Sequence, residues 1–153
     1  MRSLVFVLAI AATGCSLVDY EPDVGEALNI PNDAGDGVIP GCDNSDTNPG
    51  VTISFAVDVR PLIARAPGGC APCHLGRVTS GLDLSSYQAL RRGGINSGPR
   101  IVVASEPCSS ILLQKLGRTP PFGSRMPFNG PPYFSPDELL LVRDWIAEGA
   151  ANN

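Results

Sequence analysis

Basic side chains are absent from residues 19 to 50, histidine and tryptophan occur once each, and methionine occurs twice, one copy being the initiator. Each shortage excludes something. A segment with eight carboxylates, no cation and many Gly, Pro, Asn and Asp residues gains little by collapsing, so residues 15–50 are expected to form an acidic flexible tether. Asp33 and Asp36 invite a calcium reading, but the twelve-residue loop with its terminal Glu is missing. The arginines beyond residue 50 are dispersed and no recognition motif accompanies them, which argues against nucleic acid as a partner. A single histidine rules out a second imidazole at any metal centre. The apolar run Leu4–Ala12 is too short to span a bilayer.

That run follows Arg2 and has the shape of a secretory signal, so residues 1–14 read as a signal peptide and export is expected. Ala12-Thr13-Gly14 before Cys15 resembles the lipobox of a bacterial lipoprotein. This resemblance implies lipid on Cys15 and a place on the periplasmic face of a bacterial membrane, or on the outer membrane or cell surface. Export also places the other cysteines where disulfides persist.

What is present in concentrated form is Cys70-Ala71-Pro72-Cys73-His74, which puts two of five thiols and the only imidazole within five residues. This is the attachment pattern of a c-type haem, with Cys70 and Cys73 supplying thioethers and His74 an axial nitrogen. Met126 is the only thioether retained after signal removal, and it follows 52 residues later beside Pro127. It is the expected second axial ligand of a His/Met iron site. With Cys15 assigned to lipid and Cys70 and Cys73 to haem, Cys42 and Cys108 remain as an expected disulfide pair.

Residues 51–153 read as helices separated by Gly- and Pro-rich loops. Phe55, Val59, Leu62 and Ile63 recur at helical spacing, predicting a helix near 53–65 that Pro61 bends or delays. A short helix near 86–91 is expected between a Ser85 cap and Gly93-Gly94, and another over 106–116 between a Ser105 cap and Gly117. The clearest is the last. Ser135, Pro136 and Glu138 form a capping box, Leu139, Val142, Trp145 and Ile146 form one apolar face, and Gly149 ends it. It should pack on the first helix, with Tyr87 and Trp145 as packing residues.

The chain resembles class I c-type cytochromes, most nearly the small planctomycete-type cytochrome c domain. The likeness covers about residues 52 to 150. It rests on Asp58-Val59-Arg60-Pro61-Leu62, the Cys-x-x-Cys-His run, Ser80-Gly81-Leu82-Asp83-Leu84-Ser85, Arg125-Met126-Pro127 with Gly130-Pro131-Pro132, and Arg143-Asp144-Trp145-Ile146-Ala147-Glu148-Gly149-Ala150. The resemblance implies an all-α class I cytochrome c fold, with short helices and long loops around one covalent haem c. It implies one-electron transfer by a membrane-tethered mono-haem protein, no catalytic residue, and redox partners in a respiratory or other electron-transfer chain. Pro99 is expected to offer the carbonyl that orients His74, and Arg100 or Arg125 to meet a propionate. Two alternatives use the same residues: a thioredoxin-like dithiol oxidoreductase at Cys70 and Cys73, and a structural Cys/His metal module.

Overall fold

The computed structural model describes residues 42–153. The signal peptide, Cys15 and the acidic stretch up to residue 41 lie outside the described residues. Among the described residues the chain is all-α, with short helices and no strand. None of these helices is long and apolar enough to cross a membrane.

The first apolar stripe forms a helix in two parts. Ser54 caps it by accepting from Val57 N, and Val59 N and Arg60 N reach back five residues to Ser54 O and Phe55 O. Phe55–Val59 is therefore a π-helical turn, and α1 (Arg60–Ala64) follows with Pro61 in its first turn. Proline has no N–H to give, so the ladder changes its pitch ahead of it. Phe55, Val59 and Ile63 are buried, as their spacing requires.

The single turn α2 (Ala71–His74) comes next, and α3 (Tyr87–Arg92) follows a 3₁₀ turn at Thr79–Gly81. The cap of α3 is Ser86 rather than Ser85, its hydroxyl accepting from Ala89 N at 3.1 Å, and Gly93 ends the helix. The helix expected over 106–116 divides into a 3₁₀ turn at Pro107–Ser109 and α4 (Ile111–Leu116). Ser105 cannot cap it, because it has left-handed backbone (φ 62°) and gives its N–H to Ile146 O. Ser110 marks the break. Its hydroxyl accepts from Val103 N at 2.9 Å and donates to Glu106 O at 3.0 Å, which ties the turn to the preceding loop.

α5 (Pro136–Ala147) has the full capping box, with Glu138 N bonded to Ser135 Oγ and Ser135 N to Glu138 Oε2. Its Val142, Trp145 and Ile146 are buried. Phe55 lies between the aromatic rings of the two neighbouring elements, 5.3 Å from Tyr87 edge-on and 5.4 Å from Trp145. Both partners also satisfy their polar ends: the Tyr87 hydroxyl donates to Ala150 O and Trp145 Nε1 to Ala151 O. The first and last helices thus share one core.

Residues 42–50 lie along this unit. Cys42 and Cys108 are joined by a disulfide with Cα atoms 5.8 Å apart. Beside it Cys108 N donates to Asn44 Oδ1, and Arg143 Nε donates to Asp43 O. The buried Asp144 carboxylate accepts from the backbone and hydroxyl of Thr47.

Candidate functional site

The Cys70–His74 segment is placed by a close chain crossing. Cys70 N donates to Ile63 O at 2.9 Å, which brings the segment against the end of α1. A Cβ on Gly69 would stand 2.8 Å from Leu62 O and nearer still to Arg65 O, so only glycine fits there. His74 N then closes the turn onto Cys70 O at 2.9 Å. One turn sets Cys70, Cys73 and His74 beside one another on the wall of a single cavity.

That cavity has a volume of about 290 Å³. Leu82, Leu84, Ile101, Ile111, Leu112 and Leu116 give it an apolar wall, and Met126 and Phe128 come from the loop after α4. The structure therefore brings Cys70, Cys73, His74 and Met126 together from two distant parts of the sequence. Met126 is delivered by Lys115: Met126 N donates to Lys115 O at 2.8 Å, while Lys115 Nζ donates to Phe122 O and Ser124 O. Lys115 also lines the cavity, a position that the reading of the sequence missed.

His74 is buried, its main-chain O accepts from Leu84 N, and its Nδ1 lies 3.1 Å from Leu82 O. The orienting carbonyl is thus that of Leu82 and not of Pro99. Burial lowers the imidazole pKa more than this hydrogen bond raises it, which favours the neutral ring. Pro99 and Arg100 are exposed in a 3₁₀ turn (Gly98–Ile101), away from the cavity lining. Arg125 is buried outside that lining, with Nε bonded to Leu116 O and its guanidinium carbon 4.0 Å from the centre of the Tyr133 ring. Burial depresses its pKa.

The two motif cysteines are in different states. Cys70 is a free thiol, and burial pushes its pKa up to about 11 against a smaller lowering by Arg65. Cys73 is disulfide-bonded.

This overturns the covalent-haem reading. A thioether at Cys73 needs the valence that its sulfur has given to another sulfur, so the pair does not fit two-point attachment of haem c. The expected one-electron transfer by a His74/Met126-ligated mono-haem centre loses its cofactor, and with it the assignment to class I c-type cytochromes. Among the described residues no three His, Cys, Asp or Glu side chains gather as a metal-holding group, which also leaves the structural Cys/His metal module without a centre. The expected Cys42–Cys108 disulfide is present. The description that stands is the coarser one, a small all-α domain with short helices. Comparison with family models, curated proteins and solved structures finds no match to this chain.

Proposed function

We propose that this domain is a thiol–disulfide exchange module, working through Cys70 and Cys73 on a helical scaffold. The observation that carries the reading is the mixed state of one Cys-x-x-Cys turn: Cys73 is oxidised and Cys70, one turn away, is reduced. The Cys70 thiolate attacks Cys73 Sγ, a Cys70–Cys73 bond forms, and the second sulfur of the original disulfide leaves as a thiolate that takes up the proton lost by Cys70. Two sulfurs are oxidised before the step and two after it. No outside oxidant is needed.

The surroundings set a slow rate. Burial holds Cys70 as a thiol, and a neutral His74 brings no charge to lower its pKa. The disulfide at Cys73 is therefore long-lived until something opens the apolar wall or adds a competing thiol. Export, read from residues 1–14, supports this function because it places the module in an oxidising compartment. The scaffold departs from the thioredoxin arrangement, since no strand feeds α2 among the described residues.

The test is a peptide map of mature protein titrated through a series of glutathione redox buffers and quenched with acid. A Cys70–Cys73 cross-link should appear at intermediate poise and be absent from Cys70→Ser. Its absence at every poise removes the proposal, as does recovery of both sulfurs bound to porphyrin.

A further inference from the structure

The chain has ten arginines and one lysine, and that lysine is Lys115 on the cavity wall. None of the residues lining this cavity is an Asp or Glu, so its wall carries a cation and no carboxylate. The Lys115 ammonium lies over the Phe122 ring, with Nζ 4.9 Å from the ring centre, and donates to Phe122 O and Ser124 O. Those contacts fix the side chain and leave its charge without a counterion. The two ion pairs among the described residues, Arg65 with Glu138 and Arg92 with Asp83, involve other cations. An ammonium has three N–H donors, and the two carbonyls take only two of them. Burial without an anion draws the Lys115 pKa down to about 8, which still leaves most of the side chain charged at pH 7.

We infer that the cavity is a binding site for a carboxylate with an apolar tail, a ligand of the fatty-acid class whose headgroup rests on the Lys115 ammonium. The carboxylate accepts the third N–H in a charge-assisted hydrogen bond, and the bonds to Phe122 O and Ser124 O stay as they are. Leu82, Leu112, Leu116 and Phe128 line the space that takes the tail. One unpaired cation calls for one negative charge, which a carboxylate brings and a dianionic phosphate exceeds. The volume of about 290 Å³ lies at the lower end for small-molecule pockets, which suits a single chain. Burial of that chain against apolar side chains supplies affinity, and the headgroup fixes its direction. No covalent bond forms, and the sulfurs of Cys70 and Cys73 take no part in holding the ligand's headgroup.

The inference does not depend on thiol–disulfide exchange, and its test uses mature wild-type protein without reductant. Decanoate, kept below its micellar concentration, is the probe, and decanol, with the same chain and no charge, is the control. Calorimetry at pH 7 should show decanoate saturating one site and decanol binding about tenfold more weakly. Met126 is the only methionine besides the initiator, so a carbon-13 label on the methionine methyl reports from this cavity, and its signal should move as decanoate saturates. Lys115→Gln should weaken decanoate binding about tenfold, and Lys115→Arg should restore most of it. Decanol binding as tightly as decanoate overturns the inference, as does a Met126 methyl that stays put at saturation. Absence of saturable binding, or unchanged affinity in Lys115→Gln, overturns it too. The comparison of the two probes needs no variant and decides the matter even if Lys115→Gln does not fold.

Discussion

At the scale of single residues the cavity turns ordinary side chains into unusual ones. Burial pushes the Cys70 pKa up to about 11, so its thiolate fraction at pH 8 is about a hundredfold below that of an exposed thiol. Alkylation of Cys70 by iodoacetamide at pH 8 should accordingly be about a hundredfold slower in folded protein than in urea, and a native rate equal to the unfolded one would contradict the burial argument. His74 behaves in the opposite sense from a paired histidine. Its folded pKa lies below 6.5, so between that value and 6.5 the unfolded chain binds more protons and stability rises with pH. Stability is then greatest above pH 6.5 and declines as the pH falls through that window. Urea midpoints measured from pH 7.5 down to 5 should drop more steeply for the wild type than for His74→Gln.

Elements show how far local sequence carries. The capping box of α5 and the Phe55, Val59, Ile63 stripe were legible because caps and apolar spacing are local properties. Ser135→Ala should cost about 1 kcal/mol by urea denaturation, the usual worth of an N-cap hydroxyl. The split of the 106–116 helix was not legible. It depends on Ser105 N reaching Ile146 O, a contact between segments about forty residues apart, and on Ser110 bonding back to the preceding loop. Gly69 belongs to the same class, since its need for a bare Cα comes from the carbonyls of Leu62 and Arg65. Gly69→Ala should shift the Cys70 turn, and native alkylation of Cys70 should become faster as that thiol is uncovered. Unchanged reactivity would show that the crossing is looser than the carbonyl positions require.

At the scale of the molecule, four residues far apart in the chain line one cavity, and the haem chemistry expected of them is overturned. Cys70, Cys73, His74 and Met126 do converge on one cavity, because the spacing of Cys, Cys and His along a helical turn is a local fact and Met126 had no competitor. The redox state of Cys73 is not encoded in spacing. The Cys42–Cys108 disulfide closes a separation of 66 residues and ties the 42–50 segment to the Pro107–Ser109 turn, while Arg143 and Asp144 bind it to α5. Chain-entropy reasoning gives such a closure an upper value of about 4 kcal/mol. A Cys42→Ser/Cys108→Ser variant should therefore lose about 2–4 kcal/mol by urea denaturation. A loss within experimental error would mean that the strap is held by its hydrogen bonds alone.

Thiol–disulfide exchange at this site stands or falls on the state of two sulfur atoms. Mature protein from an exporting host competent in haem attachment should be alkylated after unfolding without reductant, digested, and mapped by mass. Cys70 should carry an alkyl group and Cys73 a disulfide. Porphyrin joined through thioethers to both residues, or an alkyl group on each, would overturn thiol–disulfide exchange at this turn.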